Sequence, residues 1–298
     1  YAPEDRPRAY GIHRAANPLG QFLGPLLAGT LAGAFGWRLP FLFFGIPTLL
    51  LVLAALRLRE PPRGAFERGL TSEEGAEADD LPSPRLGEAF RQLWRVRSLR
   101  RIWFALPFVA VLLAGLSALF SIFYEQTFGL NEAERGFAVA IAAPAQVVGL
   151  LAGIPFATRM LRRGPGLVLQ FLAVVGVFVS ACFLGLATAP NVPVAVVFQA
   201  LVMSSASLFF PGVFTILSLI LPPRVRSLGF SLSALWFVPG LLLLPMIGRL
   251  ADSLGPRVAI ASLVPALLIA GVILSTAGRF VPGDIEAARR SALEAASD

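Results

Sequence analysis

The sequence predicts an all-α membrane protein with about eight transmembrane helices. Three observations lead there. Hydrophobic side chains make up 56% of the 298 residues and charged ones only 14%, about half the charged share of a soluble domain. Uncharged apolar runs recur along the chain at the length of roughly 20 residues that a bilayer span requires. The basic residues gather in alternate gaps between those runs, as the positive-inside rule demands.

The runs, in order, are Ala15–Phe35, Leu39–Leu56, Ile102–Tyr124, Phe137–Thr158, Leu167–Ala187, Val192–Leu221, Ser227–Gly248 and Val258–Gly278. An even number places both ends on one side. That side carries 21 arginines and the other only four: Arg38, Arg135, Arg249 and Arg257. The asymmetry predicts cytoplasmic termini for a multi-pass protein of the cell's inner or plasma membrane. In a soluble protein, a net charge of +7 and a pI of about 11.0 would suggest nucleic acid. Here the charge falls in the gaps between spans, so a lipid bilayer is the expected partner and nucleic acid is not.

Composition also removes chemistry. All 25 basic residues are Arg. Without Lys there is no G-x-x-x-x-G-K-[ST] phosphate loop and no lysine Schiff base. One Cys (Cys182) and one His (His13) build neither a metal cluster nor an intrachain disulfide. No cofactor, metal or catalytic residue is expected, and the chain is not read as an enzyme.

Residues 59–99 interrupt the spans. Up to Ser98 this stretch is rich in Pro, Gly and acid, with Glu73-Glu74 and Asp79-Asp80, and reads as a flexible linker. Within it Leu86, Phe90, Leu93 and Trp94 recur at helical spacing among Arg91, Arg95 and Arg97, which predicts an amphipathic helix on the membrane surface. Residues 1–58 thus hold two spans, residues 100–283 hold six, and residues 284–298 form a polar tail.

The two parts share a repeat. Gly29 to Arg38 and Gly248 to Arg257 both read G-x-L-A-x-x-x-G-x-R, offset by 219 positions. Arg8 and Gly11 match Arg226 and Gly229 at an offset of 218. A parallel duplication follows, with two bundles related by an axis along the membrane normal. The last six spans make one complete bundle. The first two are the end of another, and four more spans of the same protein are expected upstream of Tyr1.

The first span carries Gly11, Gly20, Gly24-Pro25 and Ala28-Gly29. This closely resembles motif C of the major facilitator superfamily, G-x8-G-x3-G-P-x2-G-G, with Ala28 in place of one glycine. Gly36-Trp37-Arg38 before an apolar run is similar to the family's connection between helices five and six. The resemblance implies a major-facilitator-type bundle whose eight spans correspond to helices five to twelve. In the family, motif C belongs to proton-coupled drug antiporters and accompanies export. Independently of the family, Gly20, Gly24 and Ala28 form a small-residue face that lets a neighbouring helix approach, and Pro25 removes a backbone donor.

Gly153 to Gly164, with Arg159, Arg162 and Arg163, resembles the family's motif A, except that Ala157 stands where an acid is expected. Glu60-Pro61-Pro62-Arg63-Gly64-Ala65-Phe66-Glu67 is similar to the segment after helix six in spinster-like transporters, which move lysolipids and sphingolipids.

Polar residues within spans mark candidate sites, because they are costly unless they face protein or a wet cavity. Asn17, Gln21, Gln146 and Gln199 can both donate and accept. With Tyr124, Phe120 and Trp236 they are the candidate lining of a cavity for a small amphipathic substrate. No acid lies in the middle of a span. The expected function is secondary transport, as proton-coupled export of hydrophobic or amphipathic molecules, with lipid or lysolipid transport on the same fold as the alternative. The proton-carrying carboxylate is expected in the upstream spans.

Overall fold

A computed structural model of the chain describes residues 6–57, 86–222 and 225–297. No strand occurs among them. α1 (Arg6–Phe35) and α2 (Leu39–Ala55) come first, and α3 (Leu86–Arg95) leads into α4 (Arg97–Phe128). Then follow α5 (Glu132–Ala142), α6 (Ala145–Arg163), α7 (Gly166–Ala187), α8 (Val192–Ala206) and α9 (Phe209–Ile220). The chain continues through α10 (Arg226–Leu235), α11 (Val238–Leu241), α12 (Leu244–Leu254), α13 (Pro256–Ala261), α14 (Leu263–Ala277) and α15 (Val281–Ser297).

Several short helices are pieces of one span. Glu132–Arg163, Gly166–Ala187, Val192–Ile220, Arg226–Leu254 and Pro256–Ala277 are each long and apolar enough to cross a membrane. The apolar helices Leu19–Phe35 and Leu39–Ala55 and the 32-residue α4 occupy the remaining three runs. Prolines account for most of the breaks. Those at Ser207–Leu208, Trp236–Phe237, Leu242–Leu243 and Ser262 each lie shortly before a proline: Pro211, Pro239, Pro245 and Pro265. Proline has no N–H for the carbonyl four residues back, and its ring crowds that carbonyl.

The chain divides into two compact units, Tyr1–Ser83 with Asn131–Ala140, and Pro84–Leu130 with Ile141–Asp298. In the first, α2 is apolar all round and Pro40 is its buried residue. An apolar groove of about 690 Å³ lies between α1 and α2, lined by Ala28, Ala32, Phe41 and Phe44 among others. In the second, α4, α7 and α14 surround a core that includes Trp103, Leu106, Leu169, Leu172, Ile216 and Leu274. α7 and α14 meet at glycine, since a Cβ on Gly166 would strike the carbonyl of Gly278.

The repeat reappears in geometry. Gly36 and Gly255 have φ of 87° and 89°. Each donates its N–H to an alanine carbonyl four residues back, Ala32 at 2.8 Å and Ala251 at 3.0 Å. Both glycines thus end a helix in a backbone region that L side chains avoid.

Two of these segments take definite shape here. The amphipathic helix is α3, and its apolar side is divided: Leu86 and Phe90 stay 65% and 40% exposed, while the rest packs on protein. Ala89 and Leu93 are fully buried, Leu93 lies against the Gly229 position, and Trp94 packs on Trp103 and Trp236. Residues 284–298, expected as a polar tail, are helical as far as Ser297 within α15, so the boundary at 283 falls inside that helix. Val281 and Ala288 are buried. Asp284 Oδ2 accepts the Ser98 N–H at 2.7 Å, which caps the first turn of α4 from another helix with a carboxylate at the positive end of the dipole. Arg101 adds a bond to Thr276 Oγ1 at 2.7 Å and lies 4.5 Å from the Phe280 ring.

Candidate functional site

Glycines bring the motif C helix α1 against α5. A Cβ on Gly29 would sit 2.6 Å from the Glu132 carbonyl and 2.9 Å from Gly136 Cα. A Cβ on Gly136 would sit 2.5 Å from the Pro25 carbonyl, and one on Gly33 3.4 Å from Ala133 Cβ. The two backbones therefore touch. The start of α5 is fixed by a reciprocal cap: Asn131 Oδ1 accepts the Glu134 N–H at 3.0 Å, and Glu134 Oε2 accepts the Asn131 N–H at 2.9 Å.

The contact is not where the spacing of Gly20, Gly24 and Ala28 puts it. Nothing lies within 4 Å of a Cβ on Gly20 or Gly24, and Ala28 borders the groove toward α2. Gly29 is about half a turn of helix from Gly20, so Pro25, Gly29 and Gly33 present a different face. Gly11 lies within α1. The side chains of residues 6–18, Asn17 and His13 among them, are outside the described residues, as is Glu60–Glu67.

Three cavity candidates fill the second unit instead of lining an open space. Phe120, Tyr124 and Gln199 are fully buried. The Tyr124 hydroxyl donates to Gln199 Oε1 at 2.8 Å, and Gln199 Nε2 approaches Met203 Sδ at 4.0 Å. The pair closes a polar cross-link between α4 and α8 in apolar surroundings. Tyr124→Phe should lower the stability of the detergent-solubilised protein by about 1–2 kcal/mol, because Oε1 loses its donor. Adding Gln199→Met should recover most of that loss in a thermal-denaturation cycle.

Trp236 is likewise engaged. Its ring stacks on Trp103 at 5.5 Å and on Trp94 at 6.3 Å, with Phe104 edge-on at 5.3 Å. Trp103 Nε1 donates to Ser233 Oγ at 2.7 Å, which satisfies the buried indole. Of the remaining candidates, Gln21 is exposed and Gln146 half-buried.

The motif A-like residues separate into two roles. Gly153 is inside α6, not in a loop, and a Cβ there would overlap Leu208. Gly149 meets the Ser204 carbonyl in the same way, so both glycines seat α6 on the break between α8 and α9. Arg159, Arg162 and Arg163 are exposed at the end of α6.

Sequence reasoning missed Gly136 and Arg257. Gly136 follows Arg135 in a run with no motif, and only the packed structure shows what faces it. Arg257 was counted for orientation alone. Its Nη1 and Nη2 donate to the carbonyls of Ala187 at 2.7 Å and Ala189 at 2.8 Å, and its guanidinium lies 5.8 Å from the Phe128 ring. These are end-of-helix acceptors that α7 cannot satisfy itself. Arg257→Gln is expected to cost about 1–3 kcal/mol of stability, read as a lower midpoint on heating.

Comparison with known proteins agrees with this architecture. No curated sequence matches the chain. A bacterial homologue of the human lysosomal transporter Spinster, inward-facing and unoccupied, is 21% identical. Its match covers 95% of this chain and 73% of that one, with a TM-score of 0.74. The occupied inward-facing form of such a homologue is 19% identical over 99% of this chain and 72% of that one, with a TM-score of 0.57. The Major Facilitator Superfamily model matches residues 1–236. That match takes in the motif C helix, the linker and most of the second bundle, and by it the chain belongs to the major facilitator superfamily, as a multi-pass helical transporter.

Proposed function

We propose that the protein exports hydrophobic or amphipathic small molecules in exchange for protons. The observation that carries this is the glycine contact of Pro25, Gly29 and Gly33 with Gly136. It joins the motif C helix before the linker to a helix after it. A smooth backbone-to-backbone contact lets two helices shift against one another, as the working cycle of a transporter requires. Asn17, Gln21 and Gln146 are the polar groups proposed to meet substrate. α2 exposes Phe41, Leu42 and Leu51 at 71%, 65% and 70%. A helix apolar all round is covered by protein or lipid, and the proposed cover is the upstream helices of its own bundle together with the bilayer. The Arg-rich ends are proposed to face the cytoplasm of an inner or plasma membrane.

The test is flux of a lipophilic substrate through the intact transporter in proteoliposomes with an imposed pH gradient. Acceleration by the gradient is expected; a flux indifferent to it ends the proton-coupling assignment. The likeness to Spinster homologues, with the Glu60–Glu67 segment, favours a second reading as a lysolipid transporter. Retention of lysophospholipid in native mass spectrometry, without transport of lipophilic cations, would select it.

A further inference from the structure

The last turns of α6 carry Arg159, Arg162 and Arg163. Their i, i+3, i+4 spacing puts the three guanidiniums on one side of the helix. All three are exposed, and none is in an ion pair among the described residues. With Pro155, Phe156 and Thr158 they rim a groove of about 520 Å³. Arg101 and Arg257, by contrast, are committed to carbonyl, hydroxyl and ring partners.

The same face continues along the span as an apolar strip. At 3.6 residues per turn, Val148, Leu151, Pro155 and Phe156 share the sector of the three arginines. Val148, Leu151 and Phe156 are 65%, 68% and 55% exposed. The adjoining side of α6, at Gly149 and Gly153, packs on protein. From Val148 to Phe156 the helix rises about 12 Å, close to the roughly 15 Å of hydrocarbon in one leaflet. The positive-inside rule explains arginines on this side of the membrane. It does not require them to converge on one face, nor to sit at the foot of an exposed apolar strip.

We infer that this face of α6 binds an anionic phospholipid. The phosphate sits among Arg159, Arg162 and Arg163, and an acyl chain lies along Phe156, Leu151 and Val148. The guanidinium fork matches phosphate oxygens in pairs, and the face offers them no competing carboxylate. Nothing in this depends on which substrate is carried.

The experiment uses the intact transporter, purified and exposed to equal amounts of phosphatidylglycerol and phosphatidylcholine with matched chains. Native mass spectrometry then reads the retained lipid. Phosphatidylglycerol is expected in excess by about tenfold. The triple variant Arg159→Gln, Arg162→Gln, Arg163→Gln should abolish that preference, and the triple lysine variant should keep part of it. Arg279→Gln with Arg289→Gln, a control on the same side of the membrane, should leave it intact. Should the triple glutamine variant fail to fold, the single variants Arg159→Gln and Arg162→Gln are read for a partial loss. Equal retention of the two lipids by the unmodified protein overturns the inference. So does an equal loss in the control, or displacement of the lipid by millimolar inorganic phosphate, which would mark a site for the bare anion.

Discussion

Valine at Gly29 or at Gly136 should cut transport by the intact, reconstituted protein about tenfold or more. The added Cβ alone would sit 2.6 Å from the Glu132 carbonyl in the first case and 2.5 Å from the Pro25 carbonyl in the second. Both obstacles are backbone, so no rotamer change removes them. Overpacking of this kind costs about 1–3 kcal/mol, and about 1.4 kcal/mol is one factor of ten. If the seam works in one conformation of a rocking cycle, that cost falls on one state and appears as lost flux. Gly33→Ala is the matched control. It lies on the same face one turn along, where the new methyl would sit at ordinary contact, 3.4 Å from Ala133 Cβ, so flux should stay within about twofold, the effect of a few tenths of a kcal/mol. A drop in thermal stability with unchanged flux for Gly29→Val would reduce the seam to ordinary packing.

That contrast also shows where sequence reading stops. Fold class was legible because it depends on composition and on the length of apolar runs, which need no knowledge of neighbours. The repeat was legible for a similar reason. Gly36 and Gly255 recur because each must adopt a positive φ at the end of a helix, a local demand written locally. Packing partners are non-local. Motif C pointed to α1, but which of its faces touches another helix depends on Gly136, about 107 positions later by simple numbering. Tyr124 and Gln199 show the same limit. Gln199 and Tyr124 each look like lone polar groups in apolar runs. They are 75 positions apart in the chain, and only the fold brings them to 2.8 Å. Trp236 reads as a cavity-lining aromatic because Trp94 and Trp103, which pack on it, lie 142 and 133 positions earlier in the chain. The tail adds a local case: its polarity is legible, and Val281, Ile285 and Ala288 recur at helical spacing and give α15 a side to bury.

Gly240→Ala should be the most destabilising single-methyl change among the glycines of the second unit. Gly240 lies in α11, four residues between the breaks at Trp236–Phe237 and Leu242–Leu243. Its added Cβ would overlap the carbonyl of Pro107 in α4 and come within 2.8 Å of Ala110 Cβ. Both sides of the contact are stiff. Pro107 has its φ fixed by its ring, and Pro239 fixes the residue before Gly240. Relief requires moving α11 off α4, which opens the core around Val109 and Leu106. The expected cost is about 2–3 kcal/mol for alanine and more for valine, measured as a fall in the unfolding midpoint and in the monodisperse fraction after purification. Gly248→Ala in α12 is the control, with nothing within 4 Å of its methyl, and should be nearly neutral. The two glycine contacts then differ in kind. Gly240 seats two helices of one bundle, so its variants should lose folded protein while the surviving molecules transport normally. Gly29 and Gly136 join helices on either side of the linker, so their variants should keep folded protein and lose flux. A Gly240→Ala protein that stays fully folded but stops transporting would place α11 in the moving seam as well.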